Sequence, residues 1–510
     1  MIPFRMKSLN NSDMNSRLLL FLACLSVSIL SANGQEKRPN ILFCIADDWG
    51  WPHASAYQND EVVKTPAFDR IAKEGVLFNH AYVSSPSCTP SRNAILTGRY
   101  HWQLEGGANL WSTLDDKIET YPHLLKAAGY HTGSWRKSWG PGKLTGKWKE
   151  NHPAGEPNKK GFGEFLENRP EGKPFCFWLG ASDPHRGYEL NSGQKSGMDI
   201  SKIKLFPHYP DSEVVRSDVA DYYFEVERFD SDVEKALALL EASGEAGNTI
   251  VVITGDHGMP FPRCKSNLYD CGTRVPLAMR WPSEVKAGQV LNGFVSTTDF
   301  APTFLQAAGV KIPGVVSGQS LLAAVTGGGD SALRPFILTG KERHVPSQEA
   351  PDMGGFPMRS IRDNDFLYIR NYEPDRWPNG TPEWKKASVP NTWFGDTDNG
   401  PTKTYILDNK DKDDKHRMAY ELCFAKRPAD ELFDLKNDPE QINNISDDPK
   451  YADDLKRYSE KLTSQLVDAK DPRHVESLSY DFDGQPYLGG GPTHPDAPKK
   501  PKKKKDGGKK

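Results

Sequence analysis

Three runs of uninterrupted apolar residues stand out along the chain: Asn40–Ala46 (NILFCIA), Pro174–Ala181 (PFCFWLGA) and Thr249–Thr254 (TIVVIT). A strand with one face in water alternates apolar with polar residues, so unbroken runs predict strands buried on both faces. Helical patterns lie between them, at Phe68–Glu74, Tyr121–Ala128 and, longest, Asp218–Ala242. In the last, Val219, Tyr222, Val226, Phe229 and Val233 fall on one stripe, and Ser217 is a candidate N-cap. Strands alternating with helices predict an α/β fold around a largely parallel sheet.

The pattern changes after about residue 335. Arg359–Arg370 (RSIRDNDFLYIR) reads as two strands around a polar turn, Leu432–Leu435 as another strand and Ala452–Leu466 as a helix. These predict an N-terminal domain over 35–335 and a smaller α+β sheet domain over 336–475. Glu373–Lys403 is polar, bears Trp377, Trp384 and Trp393, and is expected to be a long surface loop. At the N-terminus, basic Arg5, Lys7 and Arg17 precede apolar Leu18–Leu30 and then Ser31-Ala32-Asn33-Gly34. That order is a secretory signal peptide over 1–34, so an exported protein is expected. Its apolar run is too short to cross a bilayer comfortably, and no later segment is long enough, so no membrane span is expected. Residues 476–510 are expected to be a disordered, lysine-rich tail ending in KKPKKKKDGGKK.

Composition narrows the class. The 510 residues are 37% hydrophobic and 26% charged, which excludes a collagen-like, coiled-coil or wholly disordered chain. The length exceeds one compact core and points to two domains or one with an appendage. The net charge of −3 conceals a basic tail and a basic leader, so the body between them is acidic and no nucleic-acid partner is expected. Seven Cys are too few for a disulfide scaffold of this size. Cys264 and Cys271 are near enough in sequence to pair, with buried free thiols as the alternative.

Three features carry candidate chemistry. Asp47-Asp48 follows the first strand directly, at the carboxyl edge where parallel sheets place ligands. Two carboxylates there suit a hard divalent cation, and a turn or helix-capping Asp pair is the alternative. Asp256-His257 follows the strand Thr249–Thr254 in the same way, and two such pairs make a metal site the better reading of both. Cys88-Thr89-Pro90-Ser91-Arg92 is the third. Pro90 suits the first turn of a helix, which puts Cys88 at an N-terminus where unpaired N–H groups favour an anion. Arg92 adds a fixed positive charge one turn on. A nucleophile beside a metal and a small buried Cys are both open on these grounds.

The run Cys88–Arg99 (CTPSRNAILTGR) resembles the C-x-P-x-R…T-G-R signature of the type I sulfatases without a mismatch. Thr298–Gly309 (TDFAPTFLQAAG) and Glu431–Ile445 (ELFDLKNDPEQINNI) are similar to later landmarks of that family. The resemblance implies an alkaline-phosphatase-like α/β sandwich with a smaller C-terminal sheet domain. It implies that a maturation enzyme oxidises Cys88 to formylglycine, whose hydrate is the nucleophile. It further implies that Asp47, Asp48, Asp256 and His257, with position 88, hold Ca²⁺. Arg92, Lys137 and Lys265 match basic positions around the sulfate, and His185 matches a general acid for the leaving group. The family's Gly-Lys-x-His element reads Arg136-Lys137-Ser138-Trp139 here, so its Gly and His are replaced.

Asp183–Arg186 (DPHR) and Gly258–Tyr269 (GMPFPRCKSNLY) resemble heparan N-sulfatase and its bacterial relatives, which puts a sulfamate beside a sulfate ester as substrate. The implied substrate is a sulfated carbohydrate, with Gln103–Trp111 and the Trp-bearing loop 373–403 as candidate walls. Two alternatives remain. A phosphate or phosphonate ester hydrolase of the same fold is disfavoured by Cys88 within a full maturation motif. A secreted protein that binds sulfated glycans without cleaving them draws support from Arg136 and Trp139.

Overall fold

The computed structural model describes residues 1, 3 and 38–498. Nearly all of the expected signal peptide, with Cys24, and the terminal lysine run lie outside the described residues. Contacts divide the chain into Met1–Arg38 and Pro39–Lys510, and the second unit is the one described below.

Eight strands form the larger sheet, in the order β4-β3-β5-β1-β6-β7-β2-β8. They are β1 (Asn40–Ala46), β2 (Val76–Tyr82), β3 (His131–Trp135), β4 (Glu156–Pro157), β5 (Phe175–Gly180), β6 (Thr249–Gly255), β7 (Arg274–Arg280) and β8 (Gln289–Ser296). All neighbours pair in parallel except those of β7, which runs against β6 and β2. The three apolar runs are β1, β5 and β6, side by side at its centre. Alternate residues of β1 feed opposite cores, which is why the run has no polar break. Leu42 and Cys44 pack on one side with Phe229 and Val233, while Ile41, Phe43 and Ile45 pack on the other with Phe300 and Phe304.

The helices packed on the two sheets include α1 (Pro66–Glu74), α2 (Cys88–Thr97), α3 (Glu213–Ala242), α4 (Phe300–Ala307) and α5 (Ala452–Asp468). Helix α3 starts a turn earlier than its apolar stripe predicts. Ser212, not Ser217, caps it, accepting from Val215 N at 3.3 Å. Ser217 lies inside the helix and meets Gln194 Oε1 at 3.2 Å.

A second, antiparallel sheet runs β12-β11-β10-β9, from β9 (Ile337–Lys341), β10 (Met358–Arg362), β11 (Phe366–Asn371) and β12 (Asp430–Asp434). Tyr458, Leu462 and Leu466 of α5 cover it, packing with Ile361, Tyr368, Leu432 and Trp102. The last strand lies two residues before the expected Leu432–Leu435 start, because Asp430 and Glu431 pair with Arg370 and Ile369.

Two expectations are overturned. The segment 373–403 is not a surface loop: Asn379, Thr381, Phe394, Asp396, Thr402 and Lys403 are buried. Its fold is organised by the Lys403 ammonium, which donates to Trp393 O (2.7 Å), Thr397 O (2.8 Å) and Asn399 Oδ1 (2.9 Å). The stretch 476–498 is likewise not a disordered tail. Phe482 is buried, Arg343 donates to Asp483 O (2.8 Å) and Gln485 O (2.7 Å), and Leu488 N donates to Trp111 O (3.0 Å). Composition misled here, because Gly and Pro suit a strap whose backbone, rather than its side chains, makes the contacts. The six described cysteines are free thiols, and among the described residues no helix is long and apolar enough to cross a membrane.

If the strap is part of the fold, Phe482→Ala should cost about 3 kcal/mol in denaturant-induced unfolding, the usual loss for a buried Phe. A disordered tail would leave the transition midpoint unchanged.

Candidate active site

β1 and β6 are neighbours with Ala46 opposite Gly255, so the residues that follow each strand emerge together. A Cβ on Gly255 would lie 2.2 Å from Trp49 O, so only glycine lets the two chains leave the sheet this closely. Asp48 adopts a left-handed conformation (φ 72°), one that Asp tolerates better than most residues. That twist breaks the alternation of the strand, and both carboxylates face one cleft. Asp48 N donates to Asp256 Oδ1 at 2.9 Å, which stitches the two acidic pairs together.

Cys88 opens α2. The preceding residue, Ser87, does not cap the helix through its side chain. Its hydroxyl instead meets His344 Nδ1 at 2.8 Å, leaving the first N–H groups of the helix without a side-chain cap. Cys88 Sγ lies 3.3 Å from His257 Nε2 and 4.0 Å from Asp48 Oδ1. One turn on, buried Arg92 reaches Asp256 Oδ2 (2.8 Å) and Asp47 Oδ1 (3.5 Å). Lys137 Nζ meets Asp47 Oδ1 at 2.6 Å, and Lys265 Nζ lies 2.9 Å from both Asp48 Oδ2 and Asp398 Oδ2. His185 stands at the rim, its Nε2 3.9 Å from Asp48 Oδ2.

These charges perturb one another. Burial alone would raise Asp256, but His257, Arg92 and Lys137 outweigh it and hold the carboxyl well below its usual range. Burial likewise opposes charge on Lys265, yet Asp398 and Asp48 push its ammonium well above the ordinary value. Burial raises the Cys88 thiol despite nearby Lys137 and Lys265, so a plain thiol here stays protonated.

The donor set fits a divalent cation. Ligand atoms of Asp47, Cys88, Asp256 and His257, all buried, lie within 4.8 Å of one another. His257 Nδ1 donates to Gly258 O at 3.0 Å, which leaves Nε2 facing Asp48 Oδ1 at 3.1 Å and Cys88 Sγ at 3.3 Å. The carboxylates of Asp47, Asp48, Asp256 and Asp398 outnumber Arg92, Lys137 and Lys265 by one. A divalent cation would turn that excess into a single positive charge.

Above Cys88 a cavity of about 400 Å³ is lined by Trp111, His185, Lys265, His344, Asp398 and Gly490–Pro492, among others. A second, of about 480 Å³, shares Trp111 and His185 with it and adds Asp47, Lys137, Glu225 and Arg228. Together they form a cleft of ligand-sized volume. Glu225 is raised to about 7, chiefly by burial and by neighbouring Asp183.

Eight of the positions expected from the sequence thus converge, seven of them buried and Lys137 partly so, with His185 at the edge. Other expectations fail. Gln103 is structural, bonded to Ala469 O (2.8 Å) and Ser317 (2.8 Å), and of the span 103–111 only Leu110 and Trp111 reach the cleft. Trp393 packs on Phe394 and His494 rather than on the cleft, although Gly395, Asp398 and Asn399 from the same loop do line it. Trp139 sends its indole N–H to Asn93 Oδ1 (2.7 Å), and Arg136 pairs with Asp232 at the surface. Sequence reasoning missed His344 and Asp398. No local motif marks either, since one follows β9 and the other lies in the loop read as exposed.

Against known proteins, the family model described as Sulfatase matches residues 39–310, more than half of the chain. The chain is 28% identical over 448 residues to an ulvan-active sulfatase of Formosa agariphila, covering 84% of this chain and 80% of that protein. It is 27% identical over 499 residues to the N-sulphoglucosamine sulphohydrolase of Homo sapiens, covering 88% and 94%. A solved structure in complex with its substrate D-glucosamine-2-N,6-O-disulfate superposes with a TM-score of 0.59 at 21% identity, covering 85% of this chain and 99% of that one. That likeness extends the shared fold across both sheets. On the strength of the family match, the chain belongs to the sulfatase family.

Proposed function

We propose that the chain is an exported, formylglycine-dependent sulfatase that removes sulfate from a sulfated carbohydrate. The observation that carries the reading is the position of Cys88. It opens a helix, within reach of His257 and Asp48, and lies one turn from an Arg92 already locked to Asp256. Asp47, Asp48, Asp256 and His257, with position 88, would hold Ca²⁺, a hard cation suited to oxygen donors. Bound there, the cation and the hydrated aldehyde that a maturation enzyme forms from Cys88 supply charge stabilisation at the sulfuryl oxygens and the nucleophilic oxygen.

The chain's own residues do the rest. Arg92 fixes the first turn of α2 against both acidic pairs, which orients position 88. Lys137 and Lys265 line the cleft as point charges for sulfuryl oxygens, and in a dry site such fixed charges act strongly on the transition state. His185 donates from Nδ1 to Arg186 O (3.0 Å), which leaves Nε2 facing the cleft to protonate the departing oxygen or nitrogen.

A sulfamate is the second reading, and one contact favours it. The two segments that resemble N-sulfatases pack on each other: Arg186 donates to Pro260 O (2.8 Å), lies over Phe261 at 4.2 Å and forks onto Asp218 (2.8 Å). They behave as one unit beside His185, the leaving-group side. Sulfate release from N-sulfated against O-sulfated glucosamine separates the readings.

Peptide mass spectrometry on protein from a maturation-competent host is expected to find formylglycine in the tryptic peptide 74–92. A thiol at position 88 in such a host sinks the mechanism and favours a binding protein. Cys88→Ala should abolish sulfate release while leaving the unfolding midpoint nearly unchanged, since the nucleophile goes but little volume does. Asp256→Ala should weaken Ca²⁺ binding in calorimetric titration and cost roughly 3–5 kcal/mol of stability, because it strands buried Arg92. Unchanged calcium affinity would remove Asp256 from the ligand set.

A further inference from the structure

Away from the cleft, one buried imidazole among the described residues has no hydrogen-bond partner for either nitrogen. His208 is 1% exposed, and neither of its ring nitrogens makes a hydrogen bond. Leaving such groups dry and unpaired costs about 1–3 kcal/mol each, so a fully orphaned imidazole needs a reason. Beside it stand the thiols of Cys264 and Cys271, and the three donor atoms lie within 4.8 Å of one another. Phe206 stacks on the imidazole at 5.3 Å and Tyr209 meets it edge-on at 4.3 Å, so the ring is held in place.

The chain builds this meeting of thiols with a tight loop. Asn267 N donates to Cys264 O (3.0 Å) and Gly272 N to Tyr269 O (2.8 Å). A Cβ on Gly272 would lie 2.2 Å from Cys264 O, so only glycine lets the loop close. The thiols have weak partners: Tyr209 Oη at 3.2 Å from Cys264 Sγ, and Arg263 O at 3.4 Å from Cys271 Sγ. A cavity of about 140 Å³, lined by His208 and Cys271 together with His53, Arg274 and Arg362, gives a path to them.

We propose that His208, Cys264 and Cys271 bind a zinc ion, at a site distinct from the catalytic cleft. Two thiolates and an imidazole are the borderline-soft donors that select Zn²⁺ over Ca²⁺. Bonds of about 2.0–2.3 Å put tetrahedral ligand atoms roughly 3.3–3.8 Å apart, so a contraction of about 1 Å closes the site. The charge also closes. Binding releases one proton from each thiol to water, and two thiolates neutralise the ion, as a dry site requires. Water from the cavity completes the fourth position. Because Cys264 directly precedes Lys265, the ion pins the segment that carries Lys265 into the cleft.

The test uses full-length Cys88→Ser protein, so that the cleft holds no thiol, reduced without oxygen and kept in excess Ca²⁺. Titration with Co²⁺ is expected to give one equivalent of thiolate-to-cobalt charge-transfer absorption. One equivalent of Zn²⁺ should displace it, and zinc added to the metal-free protein should release two protons and raise Tm. Cys264→Ser and Cys271→Ser should each lose most of the absorption, and His208→Gln should weaken binding at least ~10-fold. Cys423→Ser, a buried thiol outside the cluster, should keep it. No absorption in the folded Cys88→Ser protein overturns the proposal without recourse to any cluster variant. Absorption that survives in both cysteine variants also overturns it. So does a Cys264–Cys271 disulfide in unreduced protein whose reduced form takes no cobalt.

Discussion

Gathering three carboxylates at one sheet edge with almost no exposure is the constraint on which the rest of the cleft depends. Asp47, Asp48 and Asp256 are 1%, 0% and 0% exposed. A lone carboxylate moved out of water costs several kcal/mol, and three together repel as well. The parallel pairing of β1 with β6 forces the gathering, because in-register strands deliver their next residues side by side. Relief comes from elsewhere in the chain: Arg92 from α2, Lys137 after β3 and Lys265 after β6, each bonded to one or two of the three. No single element of the fold could hold this charge.

That arrangement also explains why position 88 sits where it does. Arg92 has to reach Asp256 and Asp47 from within the sheet's edge, and the helix that carries it then presents its N-terminal residue one turn away. The placement of Cys88 is therefore set by an ion pair as well as by its packing against Leu110 and Val345. Ser87 gives up its capping role to meet His344, so the anion-favouring end of the helix stays open toward the cleft. The network is fully connected, and its members rise or fall together.

Much of this was legible in the sequence, for physical reasons that differ by element. The unbroken apolar runs announced β1, β5 and β6 because only a strand buried twice needs no polar face. The acidic pairs were readable because they abut those strands. The start of α3 was not, since Val215 extends the stripe and Ser212 is as good a cap as Ser217. The loop 373–403 and the strap 476–498 misled for a common reason. Their polar residues are satisfied by backbone and by buried basic side chains such as Lys403 and Arg343, an arrangement that hydropathy reads as solvent.

The same two misread segments, with His344 after β9, complete the cleft. His344, Asp398, Asn399 and Gly490–Pro492 all lie beyond residue 310, where the family match ends, and all face the cavity above Cys88. The matched span supplies the charges around Cys88, together with His185 and Trp111. What surrounds the remainder of a substrate is assembled largely from the second sheet's loops and the strap that crosses them. Asp398 bridges the two halves, because it shares Lys265 with Asp48. A change of loop in the C-terminal half is thus felt by the buried charge network through one ammonium group. The walls of the cleft and its charged floor are coupled by a salt bridge rather than merely adjacent.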